Sequence, residues 1–182
     1  MKGKFVTFEG CEGVGKSRQI KLLEEYLKNN GVNYYLTREP GGTEISEQIR
    51  KIILDGKNSV MTDECEALLY AAARAQLIKE EIAPRLARGE LVFCDRYIDS
   101  SLAYQGKARG LGYEFVKEIN SFAVNNFMPD VTVFLNLSHE NAFKRKGGAT
   151  AATEWNFLVW IFTTKFTKGI WNSPRKTPKG SR

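Results

Sequence analysis

At 182 residues, 42% hydrophobic and 26% charged, the chain is long enough for one domain with a sizeable core. Its formal net charge of +6 would ordinarily point to nucleic acid or an anionic surface, but the charge is unevenly placed. Residues 144–182 carry 9 Lys and Arg against the single acid Glu154, while residues 1–143 carry 18 bases and 20 acids, so a nucleic-acid-binding domain is not expected.

The first strand is predicted at Phe5-Val6-Thr7-Phe8, so near Met1 that no signal peptide is expected before it. It runs into Gly10-Cys11-Glu12-Gly13-Val14-Gly15-Lys16-Ser17, which fits G-x-x-x-x-G-K-[ST]. Ile20, Leu22, Leu23 and Leu27 then recur at helical spacing, and Asn29-Asn30-Gly31 reads as the helix stop. Strand, glycine loop and helix in that order give the motif its physical meaning. Backbone N–H groups turn inward around phosphate oxygens, and the helix N-terminus adds partial positive charge. Lys16 would reach the β- and γ-phosphates of a nucleoside triphosphate, and the Ser17 hydroxyl would ligate Mg²⁺.

A second strand, Tyr34-Tyr35-Leu36-Thr37, leads into Arg38-Glu39-Pro40-Gly41-Gly42-Thr43. That turn sets Arg38 beyond the carboxyl end of a strand, where parallel sheets keep their ligands. Helices are predicted over 44–54 and over 62–86, the latter as one long helix or two with Thr62 or Asp63 as N-cap. Tyr70 and Arg74 fall one turn apart on one face, suited either to gripping a nucleobase or to plain packing beside a surface charge. Leu91-Val92-Phe93-Cys94 is a strand buried on both faces, and it ends in Asp95-Arg96. Asp95 is placed to hold Mg²⁺ and Arg96 to neutralise a second phosphate. A polar stretch through Tyr104-Gln105-Gly106 follows, then a helix over 113–125, a strand at Val131-Thr132-Val133-Phe134-Leu135, and a helix capped by Ser138 that carries Ala142 to Lys146, with His139 in its first turn. Cys11, Cys65 and Cys94 lack metal-ligand spacing and read as reduced thiols of a cytoplasmic protein. The alternation predicts an α/β P-loop NTPase with a doubly wound parallel sheet and helices on both faces.

FEGCEGVGKS, TREPGGT, LLYAAARAQ, DRYIDSSLAYQG and MPDVTVFLNL, in this order and spacing, resemble bacterial thymidylate kinases over residues 1–150. The resemblance implies phosphoryl transfer from ATP to dTMP, giving dTDP and ADP, with Mg²⁺ and, in the intact family, a homodimer. It implies that Gly10, Cys11, Glu12, Gly13, Val14, Gly15, Lys16 and Ser17 bind ATP, and that Ser17 and Asp95 serve the metal. Arg38 and Arg96 would hold the dTMP phosphate, and these two with Lys16 and Asp95 form the catalytic set. Glu9 and Glu12 would lie near the acceptor sugar and the metal. Tyr70 would stack on thymine, Arg74, Ser101 and Gln105 would read its polar edge, and Tyr104 would crowd the 2′ position. Arg18, Tyr70 and Asn136 stand where the family usually has Thr, Phe and Asp. Other nucleoside or nucleotide kinases, and a non-catalytic nucleotide-binding protein with a basic tail, are the alternatives.

From about Ala152 the resemblance stops, and 151–182 is expected to be a poorly ordered, non-homologous tail in place of the last strand and helix. It holds all three tryptophans, and its longest apolar run, Phe157-Leu158-Val159-Trp160-Ile161-Phe162, is too short to cross a bilayer. Reading each tail codon from its third base forces Glu at Trp155-Asn156, Asp at Trp160-Ile161 and Glu at Trp171-Asn172, because Trp has one codon. All three acids fall where the family has them, so the tail reads as a frameshift that removes the family's lid arginine.

Overall fold

The computed structural model describes residues 3–136. The expected helix near 142–146, His139 and the tail from 151 lie outside the described residues. Four strands, β1 (Lys4–Glu9), β2 (Tyr34–Arg38), β3 (Leu91–Asp95) and β4 (Val131–Phe134), form one sheet in the order β2-β3-β1-β4. All three pairings are parallel, with Phe8 opposite Asp95, Arg38 opposite Asp95, and Glu9 opposite Phe134. The chain moves from β1 outward to β2 and then from β3 across to β4. The crevice at the carboxyl ends of β1 and β3 is therefore the topological switch point, where such sheets bind ligands.

Period-two alternation sorts the strand residues between two cores. Phe5, Val92 and Cys94 face one side, packing with Leu77, Ile78, Ile82, Ala123 and Val124. Those partners come from α3 (Asp63–Leu77), the π-helical turn Ile78–Ile82 that joins it to α4 (Ala83–Ala87), and α6 (Tyr113–Val124). Phe8 and Phe93 face the other side and meet Ile20 and Leu27 of α1 (Lys16–Asn29). Helices on both faces explain why the strands are apolar throughout.

Local chemistry sets the helix starts. Thr43 caps α2 (Glu44–Leu54) by accepting from the Ser46 N–H, and Thr62 caps α3 by accepting from the Cys65 N–H. The helix expected over 62–86 is continuous but passes through the π turn. The stretch after Asp95, read only as polar, is helical: α5 (Ile98–Ser101) continues into a π-helical segment, Leu102–Ala108. Among the described residues β4 is an edge strand. Beside it, a cavity of about 1010 Å³ between α1 and β4 runs from Gly13, Gly15 and Arg18 at the glycine loop down to Leu23, Phe93 and Val133.

Candidate active site

The glycine loop turns on backbone geometry that other residues would strain. Gly10 has φ 146°, and a Cβ there would lie 2.8 Å from the Leu135 carbonyl oxygen. Gly15, at φ 101°, delivers the chain into α1. No side chain caps the start of α1 and its first turn holds no acid, so its leading N–H groups face the loop as an anion site. Ser17 is exposed at that start and Glu12 is exposed in the loop, while Cys11 and Val14 are buried beneath it.

Lys16 is folded back into this cradle. Its Nζ donates to the Gly10 carbonyl oxygen at 3.3 Å and lies 3.8 Å from Asp95 Oδ1. Burial and the neighbouring Arg96 lower its pKa, against the pull of Asp95 and Glu9. Asp95 Oδ1 is buried without a hydrogen-bond partner. A desolvated carboxylate oxygen with no donor suits a cation or its bound water, so the residues present fit Mg²⁺. No cluster of three or more His, Cys, Asp or Glu residues capable of holding a metal occurs among the described residues.

Beside this cradle, Arg96 takes φ 71°, in the left-handed region, and its guanidinium lies 5.4 Å from the Tyr104 ring centroid. Glu9, fully buried, accepts from the Tyr97 N–H at 2.8 Å, the Ser100 N–H at 3.3 Å and the Ser100 hydroxyl at 2.7 Å. Burial raises its pKa to about 7, opposed by Arg96 and by those hydrogen bonds. Tyr70 is half-buried within the fields of Glu66, Arg96, Arg50 and Tyr104. The structure thus gathers Lys16, Asp95, Glu9, Arg96, Tyr70 and Tyr104 at one end of the sheet.

Other sequence candidates have protein partners. Arg38 is exposed and pairs with Glu47 of α2 at 2.8 and 3.0 Å. Arg74 is 1% exposed. Its Nε donates to Glu39 Oε2 at 2.7 Å, one terminal nitrogen donates to Asn120 Oδ1 and the other to the Ser101 hydroxyl at 3.0 Å. The Gln105 amide donates to Glu66 Oε1 at 2.8 Å, and Arg109 binds the other oxygen of that carboxylate at 2.7 Å. Sequence reasoning gave no role to Glu39, Glu66, Ser100 or Asn120. Glu39 and Ser100 stand inside the motifs quoted for the resemblance, which was the available signal. Glu66 and Asn120 carried none.

The match to the thymidylate kinase family covers residues 8–172. The chain is 46% identical over 179 residues to a thymidylate kinase of Thermoanaerobacter sp. (strain X514), covering 98% of this chain and 87% of that relative. It is 50% identical over 151 residues to a thymidylate kinase of Caldanaerobacter subterraneus subsp. tengcongensis, covering 83% and 72%. A crystal structure of thymidylate kinase from Ehrlichia chaffeensis superposes with a TM-score of 0.72 at 29% identity, over 92% of this chain and 86% of that one. By this match, and with the glycine loop, switch-point crevice and sheet order described above, the chain belongs to the thymidylate kinase family.

Proposed function

We propose that this protein transfers the γ-phosphoryl group of ATP to dTMP, giving dTDP and ADP. The observation that carries the reading is the convergence of Lys16, Asp95 and Arg96 at the mouth of one parallel sheet, with Tyr70 and Tyr104 beside them. Gly10 to Ser17 hold the ATP phosphates through backbone N–H groups, and Lys16 leaves the Gly10 carbonyl for the phosphate oxygens. Ser17 and Asp95 would hold Mg²⁺, which would supply charge neutralisation on the transferring group. Arg96 holds the acceptor phosphate, and Arg38 joins it by leaving Glu47. Tyr70 covers the base. Arg74, held by Glu39, Asn120 and Ser101, reads the base edge with Gln105. Tyr104 and Glu9 bound the sugar side, with Glu12 on the loop above. Such a site works by positioning and electrostatic neutralisation, since phosphoryl transfer needs little covalent help from the protein.

We propose further that residues 151–182 are an out-of-frame tail and that turnover by this chain is correspondingly low. The charge step and the forced acids at the three tryptophans support this, as does the 151-residue length of the Caldanaerobacter alignment. The family match running on to residue 172 and the 179-residue alignment with the Thermoanaerobacter relative weigh against it. A missing transition-state arginine lowers the rate by about 10³–10⁵ in related enzymes, roughly 4–7 kcal/mol of barrier. A coupled ADP-release assay with dTMP, dUMP and thymidine tests both parts. Preference for dTMP supports the substrate, and a rise of at least about a hundredfold on restoring the frame supports the lid argument. Thymidine as the preferred acceptor overturns the first part, and equal rates in both frames overturn the second.

Other features fit the same reading. Ile45, Ile52 and Leu68 leave apolar surface exposed on α2 and α3, suited to a second copy in a homodimer. Cys11, Cys65 and Cys94 are present as thiols, in keeping with the cytoplasm. No helix among the described residues is long and apolar enough to cross a membrane.

A further inference from the structure

Arg96 is the one non-glycine residue among those described with positive φ, at 71°. A bulky residue there is strained and persists only where its surroundings hold it. Three contacts do so. Its N–H donates to the Phe8 carbonyl oxygen at 2.9 Å, its own carbonyl accepts from the Cys94 thiol at 3.0 Å, and its Nη1 donates to the Ser100 hydroxyl at 3.2 Å.

The Ser100 hydroxyl has one proton, and its direction is settled by its neighbours. A guanidinium only donates, so Ser100 accepts from Arg96 and gives its proton to Glu9 Oε2 at 2.7 Å. The other Glu9 oxygen takes the backbone N–H groups of Tyr97 and Ser100. Glu9 is the last residue of β1, and Gly10 opens the phosphate loop. One buried carboxylate at the foot of that loop therefore fixes the turn that carries Arg96.

We infer that Ser100 is a positioning residue, relaying Glu9 to Arg96 so that the acceptor-phosphate arginine is set in register with the ATP loop before either substrate arrives. The inference rests on the reading above that Arg96 holds the dTMP phosphate. Ser100 touches neither substrate; it acts by holding one edge of the guanidinium, which fixes the group's orientation beside Tyr104. Small misplacements of such a group are expensive in a reaction that runs on alignment.

The test is isothermal titration of the full chain with dTMP and with thymidine, which lacks the phosphate. Ser100→Ala should weaken dTMP about tenfold and leave thymidine within twofold, while Ser100→Thr, which keeps the hydroxyl, should bind dTMP like the parent. Should the alanine variant fail to fold, Ser100→Cys keeps the shape with a far weaker donor, and the same split is expected of it. Equal losses for both ligands would make Ser100 merely structural and overturn the inference, as would no loss for either. If the parent binds dTMP and the variants do not differ from it, only this inference fails. If the parent binds no dTMP, the proposed function fails and takes the inference with it.

Discussion

Replacing Glu9 by Gln should stabilise the protein at neutral pH relative to acid pH. Glu9 is fully buried, and burial lifts its carboxyl pKa from 4.5 to about 7 against the pull of Arg96, Ser100 and the Tyr97 N–H. The native carboxyl keeps its proton up to about pH 7, whereas the unfolded one gives it up near 4.5. Between those values the native state binds more protons than the unfolded state, so stability falls as pH rises. The contribution is fully present below about pH 4.5 and is lost as pH passes about 7. Each pKa unit is worth about 1.4 kcal/mol, which makes the loss on the order of 3 kcal/mol. Gln cannot ionise, so any cost of its amide among the same donors is constant with pH. The stability difference between Glu9→Gln and the parent should therefore grow by about 3 kcal/mol from pH 4.5 to 8, roughly 6–12 °C in Tm for a protein of this size. Thermal or urea unfolding of both proteins in matched buffers reads that difference, and subtraction removes the titration of every other group. A difference flat to within about 0.5 kcal/mol would refute the reasoning. It would mean that the three donors around the carboxylate outweigh its desolvation.

Glu39→Ala should destabilise by about 3–5 kcal/mol in urea unfolding, because Arg74 is left as a buried charge without its counter-ion; replacing Arg74 by Met in the same protein should recover most of that loss. Lys16→Met should leave the unliganded melting temperature nearly unchanged, since an apolar side chain of similar length fills the same buried path. It should abolish the thermal stabilisation by MgATP, which in the parent amounts to about 2.7 kcal/mol at a hundredfold excess over Kd. A Lys16→Met variant still stabilised by MgATP would remove Lys16 from the phosphate site.

The four strands were legible because burial on both faces leaves little freedom: Val92, Phe93 and Cys94 had to be apolar, and they alternate between two cores. Helix starts were legible where a side chain does the capping, as at Thr43 and Thr62. The segment from Ile98 to Ala108 was not, because its helix starts without a cap of its own. The N–H groups of Tyr97 and Ser100 at that start are satisfied by Glu9, 88 residues or more away in sequence. No local signal announces such a partner. The same limit applies to Arg74. Spacing put it on one helix face with Tyr70, but what fixes its guanidinium is Glu39 from the β2–α2 turn, Asn120 from α6 and Ser101 from α5. Side chains that motifs mark as functional were visible in the sequence, while the residues that aim them were not.

That division bears on how the two proposed phosphate arginines differ. Arg96 is already in place: its backbone is clamped at both ends, one edge of its guanidinium is occupied by Ser100, and the nearby acids Glu9 and Asp95 offset its charge next to Lys16. Arg38 instead rests on Glu47 at the surface, 54% exposed. An exposed ion pair of this kind contributes about 0–1 kcal/mol, so a dianionic phosphate can draw Arg38 away at little cost. A site with both arginines fixed inward would have to hold three cations against Glu9 and Asp95 alone, and the unliganded fold would bear the excess repulsion. Fixing one and parking the other on a carboxylate avoids it. The second guanidinium then arrives only with the charge it neutralises, and acceptor binding should itself move Arg38 from Glu47 to the crevice.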